Sequence, residues 1–140
     1  MCLKEVKLKI VGKQINEDGE ENVIELVTEG KFYKKNDSIY LVYDESEISG
    51  MDGSTTTLKI QDDKVMMKRF GSNNSKLIFE KGKKHKTGYQ TPYGILDLEV
   101  ITNKLNVDIV DGGKGSLSLS YRLNISNTME TKNELDIDIN

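Results

Sequence analysis

Apolar and polar residues alternate with a period of two along most of this chain, and this alternation restricts the fold more than any other feature. Near the start, Val6, Leu8 and Ile10 are separated by charged residues, and residues 116–123 alternate in the same way. A period of two is typical of β-strands with one buried face. No stretch shows the apolar spacing of an amphipathic helix over about 11 residues. The sequence therefore predicts an all-β protein with little helix.

Turn-forming residues divide the chain into about nine strand-like segments, with a turn roughly every ten residues. The predicted strands cover residues 5–10, 22–35, 38–45, 55–61, 64–70, 76–80, 95–102, 104–110 and 116–125, with a short additional strand at 87–91. Asp18-Gly19 is a hairpin signal, and Gly30 inside a long strand suggests a bulge or a bend. Short turns favour antiparallel neighbours, and with no helix to cover a sheet edge we expect closure. The prediction is a single antiparallel up-and-down β-barrel of about 8–10 strands.

The C-terminal segment follows a different pattern. The turn-forming residues 126–128 indicate the end of a barrel domain that covers residues 1–125. In residues 126–140, Leu135, Ile137 and Ile139 alternate with acidic residues. Two interpretations remain open: an extra edge strand, which could also contact a partner, or a mobile acidic tail.

Length, charge and cysteine content exclude several classes of protein. A chain of 140 residues fits one domain, and a net charge of −3 argues against a dedicated nucleic-acid binder. The single cysteine, Cys2, can form neither an internal disulfide nor a thiolate metal cluster. No secretory signal precedes the first strand, and no apolar run approaches the ~18 residues of a membrane span. We therefore expect a reducing, cytoplasmic setting and no membrane contact.

The stretch 82–94 holds the only histidine and the only proline of the chain. The pattern predicts a basic loop, then a short strand that places Thr87, Tyr89 and Thr91 on one face. The candidate binding residues of this stretch are Lys83, Lys84, His85, Tyr89, Thr91 and Tyr93. One interpretation is a cationic rim at a barrel mouth that binds a carboxylate or phosphate. The other is a solvated hairpin whose lysines keep the protein soluble.

A second candidate site comes from charges on otherwise apolar strand faces. Glu45 follows Leu41 and Tyr43 on one face, and Arg69 follows Val65 and Met67 on another. Charges in such positions need a partner, so we predict an inward-facing Glu45–Arg69 ion pair. The functional alternative is the polar floor of a ligand pocket, built from Tyr43, Glu45, Arg69 and Tyr89.

Catalytic, metal and cofactor sites have little support. A hydrolase triad would need His85, which lysines flank, and this histidine has no histidine or cysteine at ligand spacing. The same lysines argue against an apolar haem pocket. The glycine and lysines at 82–84 lack the spacing of a phosphate-binding loop. We therefore predict no catalytic residue, no metal site and no cofactor.

Four segments together resemble one known family. They are residues 28–33, 43–51, 68–71 and 82–94. In this order and spacing they are similar to the YwiB-like family of small bacterial proteins. The resemblance covers nearly the whole chain and ends before the acidic C-terminal segment. The resemblance implies a calycin-like β-barrel related in shape to lipocalins, and it implies no known activity. The lipocalin Gly-x-Trp signature is missing, because the chain has no tryptophan.

Three classes of function follow from these features. The preferred hypothesis is a barrel that binds a small molecule or an anion at its mouth or in its interior. The alternative is a protein-interaction module, acting as a homodimer through the C-terminal segment or an exposed barrel face. An enzyme is the third class, and it lacks a recognisable set of catalytic residues.

Overall fold

The structure is a computed structural model that describes residues 3–46, 53–71, 74–91, 93–110 and 114–140, without the side chains of residues 90 and 91. The strands are β1 Lys4–Ile15, β2 Glu21–Lys35, β3 Ser38–Asp44, β4 Ser54–Ile60, β5 Lys64–Gly71, β6 Ser75–Glu80, β7 Lys84–Thr91, β8 Gly94–Val110, β9 Lys114–Ile125 and β10 Met129–Ile139. The described part of the chain contains no helix long and apolar enough to cross a membrane.

All ten strands belong to one antiparallel sheet in the order β6-β5-β4-β3-β2-β1-β10-β9-β8-β7. Each strand therefore pairs with its neighbours in sequence, apart from β6 and β7, and β1 also pairs with β10. The sheet curves into a nearly closed barrel. The prediction of an all-β, up-and-down antiparallel barrel is confirmed. So is the hairpin at Asp18-Gly19, where Gly19 adopts a φ of 84°.

The barrel has a seam between β6 and β7. Among the described residues, no hydrogen-bonded ladder joins these two strands. Instead, the Gly82 N–H donates to the Thr102 carbonyl at 3.0 Å, and the Thr102 N–H donates to the Lys83 carbonyl at 3.4 Å. The turn between β6 and β7 therefore attaches to the middle of β8. Beyond that point β8 continues to Val110 with β9 on one side only.

Residues 126–140 are part of the barrel. Ser126 and Asn127 form a hairpin turn with φ values of 51° and 57°, and the chain returns as β10. This strand lies between β1 and β9, so the prediction of an edge strand is corrected. Ile137 and Ile139 are 0% and 1% exposed in the barrel interior. The apolar side chains of this segment therefore complete the core.

Strand β8 also differs from the prediction. The sequence suggested two strands, 95–102 and 104–110, whereas the structure has one continuous strand from Gly94 to Val110. Its register against β9 shifts between Thr102 and Lys104. A β-bulge reverses the facing of the residues that follow it. Val100 and Leu105 can therefore both face the core, although regular alternation would place them on opposite faces of the strand.

Side chains fill the barrel at mid-height. The residues with 0% exposure there are Leu8, Leu41, Leu58, Val65, Phe79, Leu117 and Ile137. They come from strands all around the barrel, so their inward faces meet on the axis. The rings of Phe79 and Tyr121 pack at a centroid distance of 4.6 Å. This filled layer separates the two ends of the interior from each other.

The prediction for Gly30 was a bulge or a bend, and the structure has no bulge there. Its pairing with Val6 on one side and Tyr43 on the other continues without a register shift. The reason for glycine is close packing, because a Cβ there would lie 2.7 Å from Leu8 Cδ1 and 2.9 Å from the Val42 carbonyl oxygen. The missing side chain allows Leu8 to fill the interior at this point.

We expect Gly30→Ala to lower the free energy of unfolding by about 1–3 kcal/mol, the usual range for overpacking a core. The Val42 carbonyl oxygen belongs to the backbone and cannot move aside as a side chain can. Denaturant unfolding followed by circular dichroism measures the loss. Gly12→Ala is the control, because nothing lies within 4 Å of a Cβ at that position of the neighbouring strand. Equal stability of the two variants would contradict this account.

Candidate functional site

The filled layer leaves two partly open ends. We call the end where β2 and β8 finish the apolar mouth. Its walls are Phe32, Ile39, Ile60, Val107 and Ile109. We call the opposite end, where β3 and β5 finish and β10 begins, the polar end. Its inward-facing residues include Glu45, Thr56 and Arg69.

The polar end contains the predicted ion pair. Tyr43, Thr56 and Arg69 are directly opposite one another on β3, β4 and β5. Arg69 Nε lies 3.5 Å from Glu45 Oε1, and the Glu45 side chain is only 3% exposed. The Thr56 hydroxyl donates to the same Oε1 at 2.6 Å. Arg69 Nε–H in turn donates to Thr56 Oγ1 at 3.2 Å. The prediction of an inward-facing pair is confirmed, and Thr56 is a member that sequence reasoning missed.

The same cluster changes the acidity of its tyrosines. Burial raises the pKa of Tyr43 well above its usual value, and the charge of Glu45 raises it further. Burial also raises the pKa of Tyr121, while the charge of Arg69 opposes that shift. Both phenols therefore stay protonated at neutral pH. They offer O–H donors to the interior.

A cavity of about 150 Å³, partly open to solvent, adjoins this cluster. Gly12, Gln14, Met67, Arg69, Tyr121 and Asn133 are among its lining residues. The named residues come from β1, β9 and β10, which are neighbours in the sheet, and from β5, which pairs with none of these three strands. Asn133 is held by its own strand, since Nδ2 donates to Thr131 Oγ1 at 2.9 Å.

Tyr89, the fourth residue of the predicted pocket floor, does not join this cluster. Tyr89 is half-buried and packs against the core, and no described contact links it to Glu45 or Arg69. The side chain of Thr91 lies outside the described residues. Tyr93 is fully exposed at the β7–β8 turn. Of the predicted pocket floor, the structure brings together Tyr43, Glu45 and Arg69.

The predicted basic loop is mostly a strand with acidic partners. The turn ends at Lys83, and Lys84 and His85 already belong to β7. Lys83 Nζ lies 3.3 Å from Glu80 Oε2, and Lys84 Nζ lies 3.2 Å from Glu99 Oε1. The Nε2 atom of His85 lies 2.9 Å from Glu80 Oε1. The hydrogen bond from His85 lowers the pKa of Glu80, with a smaller contribution from Lys83.

This basic segment also lies away from the apolar mouth. Lys84 is opposite Ile101 in the ladder, and β8 runs from there to Val110. Nine further residues of extended strand span about 30 Å. The lysines therefore lie beside the seam at mid-height. Anion binding by residues 82–94 stays a prediction. Carboxylates already lie beside Lys83, Lys84 and His85, and an anion would have to compete with them.

The apolar mouth is the larger site, and sequence reasoning did not identify its residues. It encloses about 390 Å³, with Lys34, Asp37 and Asp62 among the polar residues at its rim. Strand alternation places Phe32 and Lys34 on one face, so the strand passes from the core to the rim. The one sequence signal for this site was that several predicted strands end with an apolar residue next to a charged turn.

In the part of the chain that the structure describes, no three histidine, cysteine, aspartate or glutamate side chains are arranged to hold a metal ion.

Comparison with known proteins agrees with this architecture. An uncharacterised β-barrel protein of Bacillus subtilis, YwiB, is 28% identical over 123 residues, which cover 88% of this chain and 84% of that protein. The crystal structure of YwiB superimposes with a TM-score of 0.75 at 21% identity, over 97% of this chain and 92% of that one. It shows the same fold.

A family model described as a domain of unknown function, DUF1934, matches residues 8–137. The match includes most of β10, so the C-terminal segment does not depart from the family as its acidic composition suggested. The chain belongs to the DUF1934 family.

Proposed function

We propose that this barrel binds a small molecule with an apolar body in its apolar mouth. The observation that carries the proposal is the 390 Å³ opening at one end of a filled barrel, whose inner walls are apolar and whose rim is polar. Binding sites for small molecules are usually concave, mostly apolar and about 300–1,000 Å³ in volume, with a few polar groups that orient the ligand.

The walls support this proposal because they are incompletely covered. Phe32 and Ile60 are buried and form the inner part, whereas Ile39, Val107 and Ile109 are only partly buried. A ligand that covers these three side chains gains about 25 cal/mol for each Å² of apolar surface removed from water. Lys34 and Asp62 at the rim supply one charge of each sign for a polar end of the ligand.

The test uses the fluorescent probe 8-anilinonaphthalene-1-sulfonate and medium-chain carboxylates such as decanoate. We expect saturable binding, with amide NMR shifts concentrated on residues 32–39, 60–62 and 107–110. Val107→Trp is expected to weaken binding by more than about tenfold, because the indole ring occupies the mouth and the ligand can no longer contact its apolar walls.

Val27→Trp is the matched control, because Val27 is 62% exposed on the outer face of β2. It adds the same side chain without narrowing the mouth. Equal binding to both variants, or shifts scattered over the outer surface, would contradict the proposal. Native mass spectrometry of the purified protein would also reveal a ligand that it already carries.

A homodimer is the second candidate. Its support is the β7–β8 hairpin, where Ile95 and Leu96 are 71% and 39% exposed. Strand β10 gives no such support, because Ile137 and Ile139 are buried in the barrel. The same native mass spectrum distinguishes a dimer from a monomer. For either function we propose a cytoplasmic setting, in which the single Cys2 stays reduced.

A further inference from the structure

We infer that the cavity at the polar end is a second binding site, for a small carboxylate or an inorganic oxyanion held by Arg69. This inference is independent of the proposed function, because the filled layer of side chains separates the cavity from the apolar mouth. Three features support it: a guanidinium whose Nη groups have no described acceptor, an open space beside Gly12, and further polar groups around that space.

The guanidinium of Arg69 is only partly used by its described partners. Both contacts, to Glu45 Oε1 at 3.5 Å and to Thr56 Oγ1 at 3.2 Å, involve Nε. A charge-assisted N–H···O bond is normally about 2.7–2.9 Å, and arginine often binds carboxylates in a bidentate manner. Glu45 instead receives its short hydrogen bond from Thr56, at 2.6 Å. A guanidinium has five N–H donors and no acceptor, so its Nη groups require acceptors.

The space for such an acceptor lies opposite Gly12. No atom is found within 4 Å of a Cβ built on this residue, although it lies within β1. The cavity volume of about 150 Å³ corresponds to about five water molecules at 30 Å³ each. Acetate, formate or phosphate fits such a volume, whereas a drug-sized ligand does not.

The rest of the lining supplies further donors, and the cavity is partly open to solvent. Tyr121 and Gln14 carry O–H or N–H groups that can bond an oxyanion, whereas the Asn133 amide already donates to Thr131. Lys13 and Glu134 add one charge of each sign to the lining. The Arg69 side chain is 18% exposed, so its charge is screened less than that of a surface arginine. Glu45 contacts Nε of the guanidinium, and no described contact involves an Nη atom.

The experiment is an NMR titration of the full-length protein with sodium acetate and inorganic phosphate at constant ionic strength. We expect saturable shifts of the Arg69 Nε–H signal and of the amides of residues 12, 121 and 133. Acetamide, which has the shape of acetate without its charge, is expected to bind more than about tenfold more weakly. Equal shifts with acetamide and acetate would overturn the assignment to anions.

Gly12→Val tests the location, because its side chain projects into the cavity. Valine suits a strand, so this variant is expected to fold and to lose anion binding. Val11→Ile, one position away on the opposite face of β1, is the control and is expected to bind normally. Unchanged affinity in Gly12→Val would overturn the site.

A second variant keeps the inference testable if Gly12→Val fails to fold. The double variant Glu45→Gln/Arg69→Met removes both charges together and is expected to lose the acetate response. Val107→Trp at the apolar mouth is expected to leave that response intact. Failure of either proposed site is therefore distinguishable from failure of the other.

Discussion

We expect Arg69→Met to lower the free energy of unfolding by about 3–5 kcal/mol, the loss seen when one partner of a buried ion pair is removed. The reason is the position of Glu45, whose side chain is 3% exposed and whose cation is Arg69. Methionine fills much of the same volume, so the loss reports on charge more than on packing. Urea denaturation at neutral pH, followed by circular dichroism, measures the change.

The matching double variant separates pairing from packing. Glu45→Gln/Arg69→Met leaves no unpaired charge, and the glutamine can still accept the Thr56 hydrogen bond. It is therefore expected to recover part of the loss. Lys68→Met, on the exposed outer face of the same strand, is the control and is expected to change stability by less than about 0.5 kcal/mol. Strictly additive losses in the double-mutant cycle would contradict direct pairing.

The barrel could be predicted because alternation is a local signal that survives in a single sequence. The clean alternation of residues 116–123 describes β9 correctly, and the charges on apolar faces led to the Glu45–Arg69 pair. In each case the physical requirement, a buried face or a compensated charge, can be read from residues near one another on a strand.

The role of the C-terminal segment could not be predicted in the same way. Ser126 and Asn127 both adopt positive φ, a conformation that hairpin turns usually signal with glycine. Without glycine, the residues 126–128 resembled the end of a domain. The acidic residues on the outer face of β10 then suggested a tail. Pairing with β1, which is distant in the sequence, places this segment inside the barrel sheet, and no local sequence pattern indicates that pairing.

The binding surfaces depended on the same long-range information. The partners of Lys84 and His85 are Glu99, on the paired strand β8, and Glu80, across the turn between β6 and β7, so both carboxylates lie on strands other than β7. The apolar mouth joins the end of β8 to the ends of β2 and β4, which lie on the opposite side of the sheet order. The register shift at Thr102 also sets which β8 residues face that mouth. Neither fact can be predicted from the sequence of one strand alone.

We expect removal of residues 126–140 to abolish cooperative folding, the largest effect predicted for this protein. Truncation after Ile125 deletes β10, which pairs with β1 over residues 132–139 and with β9 over residues 129–139. It therefore opens a second gap opposite the existing seam and leaves two unpaired edges. It also exposes the core that Ile137 and Ile139 close. Circular dichroism and thermal unfolding of the truncated chain measure the effect.

A single substitution tests the same role in a chain that still folds. Ile137 is 0% exposed, so Ile137→Ala is expected to cost about 2–5 kcal/mol, the range for removing a large buried aliphatic side chain. Met129→Ala, at the start of the same strand and 53% exposed, is expected to change stability by less than about 0.5 kcal/mol. A truncated chain that unfolds cooperatively at an unchanged temperature would show that β10 is dispensable. Equal stability of the two alanine variants would lead to the same conclusion, because the contribution of β10 rests on its inward face.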